Sequence, residues 1–108
     1  MITCNDNDIE NRIKNSSLTI VQFSASWCMP CKILKTKIEK VAAETPDVTF
    51  IYCDIEATTD FSQKSGIMSV PTVIAYYDGQ AVDQVVGSDE KNVRDLVENL
   101  LSRVKTRD

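Results

Sequence analysis

Ser24-Ala25-Ser26-Trp27-Cys28-Met29-Pro30-Cys31-Lys32 is the stretch on which the reading of this 108-residue chain turns. The apolar run before it, Leu18 to Phe23, reads as a buried strand, and the amphipathic segment after it, Lys32 to Glu44, reads as a helix. Two cysteines three positions apart therefore sit where a strand feeds a helix N-terminus. At that spacing their β-carbons lie on one helix face, roughly 5–6 Å apart, and a small adjustment brings them into disulfide range. A helix N-terminus favours negative charge through its unpaired amides, and a thiol reacts as its thiolate. Cys28, nearest that end, is the expected attacking nucleophile. Cys31, one turn in and more buried, is the expected resolving thiol. Pro30 fits the first turn, where the amide has no intrahelical partner to lose.

Composition narrows the remaining options. The chain is 43% hydrophobic and 26% charged, ordinary for a soluble domain, and its length suits a single domain over residues 1–108. A net charge of −4, with no concentrated basic run, argues against a nucleic-acid binder. Lys32, Lys35, Lys37 and Lys40 read as a solvated helix face. No stretch reaches the roughly 18 apolar residues of a membrane span. The Met1-Ile2-Thr3-Cys4-Asn5-Asp6 start lacks the features of a secretory signal. A reducing, cytoplasmic setting is expected. The four cysteines and the absence of histidine leave a zinc site only if Cys4, Cys28, Cys31 and Cys53 all converge, so no metal is expected. Cys53 reads as a small core residue, whereas Cys4, near the terminus, is expected to be exposed.

In chain order, Asp8 to Asn15 reads as a short helix. Val48 to Ile55 reads as a second buried strand. A short helix capped at Thr58 or Thr59 ends before Gly66. Thr72 to Tyr77 is a third strand, Asp78-Gly79 a hairpin turn, and Gln80 to Val86 its antiparallel partner. Ser88 is the expected cap of a final helix whose stripe is Val93, Leu96, Val97, Leu100, Leu101 and Val104, with Lys105 and Arg107 at its end. The order βαβα followed by ββα predicts an α/β fold: a central mixed sheet with helices on both faces.

These features resemble the thioredoxin family. Trp27-Cys28-Met29-Pro30-Cys31-Lys32 is similar to its Trp-Cys-Gly-Pro-Cys-Lys signature, and Gly66-Ile67-Met68-Ser69-Val70-Pro71-Thr72 to its second motif. The resemblance implies a three-layer thioredoxin-like fold and a cis Val70–Pro71 bond facing the cysteines. It also implies a substrate groove formed by Trp27, Met29, Pro30, Val70, Pro71 and Gly87, with extended segments bonding to the Val70 backbone. The implied activity is protein disulfide reduction by a monomer that needs no bound cofactor beyond its own Cys28–Cys31 disulfide. A flavin-containing, NADPH-dependent thioredoxin reductase is the implied donor, and peroxiredoxins are among the acceptors. The chain itself has no dinucleotide-binding glycine fingerprint.

The departures are specific. Gln22 stands where the family usually has a buried Asp, and Tyr52 where a Lys accompanies it; neither is a base near neutral pH. Met29 replaces a glycine between the cysteines, Thr36 a proline in the active-site helix, and Ser24 a tryptophan. Three rivals keep the same residues: an isomerase or oxidase with a raised potential, a binding module with little redox turnover, and a cluster-binding dimer.

Overall fold

The computed structural model describes residues 1–105. Among them are five strands and four helices: β1 (Ile2–Thr3), α1 (Ile9–Lys14), β2 (Leu18–Ser24), α2 (Met29–Glu44), β3 (Thr49–Asp54), α3 (Thr59–Lys64), β4 (Thr72–Tyr77), β5 (Gln80–Val86) and α4 (Glu90–Lys105). The strands form one mixed sheet in the order β1-β3-β2-β4-β5. β1, β3 and β2 run parallel, while β4 and β5 pair antiparallel.

β2 lies at the centre and every one of its residues is buried. That burial on both faces is why it reads as a nearly continuous β-branched run rather than an alternation. On one face of the sheet, Leu34, Ile38 and Val41 of α2 and Val93, Leu96, Val97 and Leu100 of α4 close over Ile20, Phe50, Val73 and Ala75. On the other face, Ile9 and Ile13 of α1 and half-buried Phe61 of α3 cover Val21, Ile51, Cys53, Ile74 and Tyr76. Phe61 stacks on Phe23 with ring centroids 5.8 Å apart. The result is the expected three layers. The β4–β5 hairpin turns at Asp78 (φ 49°) and Gly79 (φ 86°), the pair of positive values that a two-residue turn between twisted strands requires.

The differences from the sequence reading have physical causes. β1 is only two residues long and gave no periodic signal; its pairing with β3 is what holds it in the sheet. α2 starts at Met29 rather than Lys32, because Cys28 itself is the N-cap and Pro30 occupies the first turn. α2 runs unbroken through Thr36, whose hydroxyl donates back to the Lys32 carbonyl at 3.3 Å. At the start of α4, Asp89 rather than Ser88 caps, accepting from the Lys91 amide at 2.8 Å. Thr58 flanks α3 but does not cap it; the Asp6 carboxylate reaches across from the β1–α1 loop to accept from the amides of Asp60 (3.2 Å) and Phe61 (3.0 Å). Arg107 lies outside the described residues.

Candidate active site

Three segments meet at the C-terminal ends of the central strands. β2 leads through Ala25 into the cysteine turn, β3 leads to Ile55, and the loop before β4 brings in Val70 and Pro71. The Ile55 amide bonds the Ser24 carbonyl at 2.9 Å, tying the first two together. Ala25, Cys28 and Cys31 form a small buried cluster against which Ile55 and Val70 pack.

Cys28 and Cys31 are joined in a disulfide, with Cα atoms 5.3 Å apart. The Cys28 Sγ caps α2, accepting from the Cys31 amide at 3.3 Å. The first turn, Met29-Pro30-Cys31-Lys32, carries no carboxylate, so nothing of opposite sign competes for the helix's positive end. Cys28 is 5% exposed and Cys31 0%, which leaves the N-capping sulfur as the outer one. The Val70–Pro71 bond is cis, and the Val70 carbonyl lies 4.0 Å from Cys28 Sγ. The Gly87 amide donates to the Pro71 carbonyl at 2.9 Å, and Gly87 adopts φ 106°, a conformation that a Cβ would strain.

The expected groove residues separate into two groups. Trp27 (71% exposed), Met29 and Pro30 stand on the surface, and Val70 and Gly87 are half-buried. Pro71, on the other side of the cis bond, is largely buried, and its carbonyl accepts from the Gly87 amide. Ile33 and Met68 add exposed apolar surface in the segments flanking Cys31 and Val70. The sequence signal for Met68 was an apolar residue placed in a polar loop directly before Ser69-Val70-Pro71.

Beneath the disulfide, Gln22 is fully buried. Its Nε2 donates to the Cys31 carbonyl and to Ser24 Oγ, both at 2.9 Å. A carbonyl can only accept, so the amide nitrogen must face Cys31, and the opposite atom, Oε1, is left with no hydrogen-bond partner. Tyr52, level with Gln22 on the adjacent strand β3, is half-buried, and Lys35 Nζ sits 4.6 Å from its ring centroid. The sequence reading puts this lysine, one turn beyond Cys31 on α2, on a solvated helix face; the structure sets it over the Tyr52 ring.

Cys4 and Cys53 are free thiols, buried together in the core on the α1–α3 face rather than beside the disulfide. Burial of Cys4 corrects the expectation that it is exposed. Among the described residues no group of three or more Cys, Asp or Glu is arranged to hold a metal ion.

The thioredoxin family model matches residues 1–101. The chain belongs to the thioredoxin family. It is 36% identical over 90 residues to mitochondrial thioredoxin-2 of Schizosaccharomyces pombe, covering 83% of this chain and 68% of that one. Oxidised mitochondrial thioredoxin 3 of Saccharomyces cerevisiae superposes with a TM-score of 0.87 at 26% identity, covering 93% of this chain and 95% of that one. So does a chain from a structure on thiol resolution in a yeast mitochondrial 1-Cys peroxiredoxin through the glutathione and thioredoxin systems, at 25% identity, a TM-score of 0.87 and the same coverage of 93% and 95%. With family and cysteine pair together, this thioredoxin-family chain is a thiol–disulfide oxidoreductase.

Proposed function

We propose that this chain reduces protein disulfides, with Cys28 as the nucleophile and Cys31 as the resolving thiol. One observation carries the division of labour: Cys28 Sγ is itself the N-cap of α2, while Cys31 lies inside the helix and is fully enclosed. In the reduced protein the Cys28 thiolate attacks a substrate disulfide, forming a mixed disulfide and expelling one substrate thiolate. Cys31 then attacks Cys28 Sγ, re-forming the intramolecular disulfide and releasing the second substrate thiolate. The Val70 carbonyl, facing Cys28, receives the substrate backbone as an added strand. Trp27, Met29 and Pro30 supply apolar contact around it.

Gln22 acts as a positioning residue. It holds the Cys31 carbonyl through Nε2 and keeps Oε1 available for the donor that reduction introduces, a thiol S–H or an incoming water. Because an amide takes up no proton near neutral pH, the Cys31 proton leaves to solvent rather than to a fixed base.

Electrons come from a separate flavin- and NADPH-dependent thioredoxin reductase, and peroxiredoxins are among the acceptors. The likeness to the yeast chain from the peroxiredoxin structure supports the second assignment. The chain needs no bound cofactor for this cycle, and a cytoplasmic setting completes the proposal. Cell fractionation distinguishes that setting from the mitochondrial one named for two of the relatives.

The midpoint potential of the Cys28–Cys31 couple tests direction. Trp27 is the only tryptophan and adjoins Cys28, so its fluorescence follows the couple across a thiol–disulfide buffer series. The expected value is near the roughly −270 mV of a general reductant; a value near or above about −180 mV places the chain with isomerases and oxidants.

A further inference from the structure

The parallel register of β1 on β3 sets Ile2 opposite Ile51 and Thr3 opposite Tyr52. Continued by one residue, it brings Cys4 level with Cys53. Alternation along each strand puts both on the same side: Ile2, Cys4, Ile51 and Cys53 all belong to the core under α1 and α3, while Thr3 faces solvent. Neighbouring strands run about 4.7–4.9 Å apart, within the Cα separations a disulfide spans, roughly 4.4–6.8 Å. Cys4 is the first residue past the end of β1, outside the ladder, so its backbone is free to adjust. Both thiols are unpaired with each other in the structure.

We propose that Cys4 and Cys53 are a second redox pair, oxidised by a hydroperoxide to a disulfide that staples β1 to β3. The Cys4 thiolate attacks one peroxide oxygen and becomes a sulfenic acid, and the departing hydroxide takes up a proton to leave as water. The Cys53 sulfur then attacks the Cys4 sulfur, loses its proton, and expels the sulfenic oxygen as a second water. Two thiols and one hydrogen peroxide give one disulfide and two waters. Cys4 is the natural first target, being 8% exposed where Cys53 is 0% exposed, and it follows a two-residue edge strand that opens more easily than the sheet centre.

Burial raises both thiol pKa values, that of Cys53 to about 11, with Cys4 adding to the rise at Cys53 and Asp8 to the rise at Cys4, where Arg12 opposes it. Thiolate is therefore scarce, so the pair responds to sustained rather than brief oxidant, after Cys28 and Cys31 have closed. The Cys53 sulfur lies 2.7 Å from Thr58 Oγ1, which also contacts Ser62, so bond formation pulls on the β3–α3 junction.

The test uses the full chain with Cys28→Ser and Cys31→Ser, which leaves two thiols. After hydrogen peroxide treatment and denaturing alkylation, the expected result is loss of both alkylatable thiols, a mass decrease of about 2 Da, and a peptide joining Cys4 to Cys53. Dithiothreitol restores both thiols. Adding Cys4→Ser must abolish the intramolecular link and leave Cys53 alkylatable. Sulfinic acid at Cys4 with Cys53 intact, or only disulfide-linked dimers, overturns the proposal. So does the survival of both thiols, provided the untreated variant shows a native circular dichroism spectrum.

Discussion

Two pairs of sulfurs lie in one small domain, and their surroundings are opposite. Cys28 and Cys31 sit at a helix N-terminus, one of them serving as the cap, with the peptide dipoles favouring negative charge. Cys4 and Cys53 sit in the core among Ile9, Ile51 and Phe23, where the Thr58 and Ser62 hydroxyls beside Cys53 and the Arg12 charge near Cys4 only partly offset the desolvation of a thiolate. The same functional group is poised for exchange in one place and held protonated in the other. Position relative to a helix end decides reactivity here, not cysteine content.

The widest separation between the pairs should appear on substitution. Cys28→Ser is expected to drop disulfide reductase turnover to background, on the order of 10³-fold or more, because the other sulfur at that helix end, Cys31, is fully buried. Cys31→Ser should retain the first attack and accumulate a mixed disulfide, visible on non-reducing gels. If Cys28→Ser kept more than a tenth of turnover, one of the buried cysteines would be carrying the exchange, and the contrast would collapse.

The next effect concerns what lies beneath the reactive pair. Gln22→Asp places a carboxylate against the Cys31 carbonyl in a fully buried position. There it is expected to have a raised pKa and to accept the Cys31 proton directly. Stopped-flow resolution of the mixed disulfide should quicken by about tenfold or more, and its pH profile should gain an inflection. Gln22→Asn, which keeps an amide, should show neither change. An unchanged resolution rate in Gln22→Asp would mean that solvent already removes the proton without limit.

How much of this was open to sequence reading follows from which residues carry local signals. Pro30 in a first turn, Asp78-Gly79 between alternating runs, and the β-branched density of β2 each force one local geometry, and those elements formed where expected. Trp27, just before the cap, and Met29, the first residue of α2, are both exposed beside the cysteine pair. What was hidden depended on long-range pairing. Two residues of β1 have no period of their own, so nothing local announced that Cys4 would be buried. The bond that the Gly87 amide donates to the Pro71 carbonyl joins two segments far apart in the chain, and no local pattern announces it. The carboxylate capping α3 comes from Asp6, 54 and 55 residues from the amides it serves, beyond the reach of any capping pattern.

The smallest effect on turnover, and the sharpest on the second pair, comes from Cys53→Ala. Cys53 lies away from the exchange site, so activity should change by less than about twofold, while stability changes in a pH-dependent way. Its thiol keeps its proton in the folded protein up to about 11, against an ordinary value of 9.0. Below pH 9 both folded and unfolded chains are protonated and the contribution is constant. Between about 9 and 11 the unfolded chain releases its proton first, so it binds fewer protons than the native state and stability falls as pH rises. With each pKa unit worth about 1.4 kcal/mol, this slope removes roughly 2–3 kcal/mol by its upper end. Urea midpoints taken across this range should therefore fall more steeply in the wild type than in Cys53→Ala. The variant starts lower because it leaves a cavity, and the two curves converge toward pH 11. Tyr76, raised by burial from 10.0 to about 12, imposes its own later decline on both proteins. Curves that stay parallel to pH 11 would show that Cys53 is hydrated enough to ionise normally, and the distinction between a protected pair and a poised one would fail at its buried end.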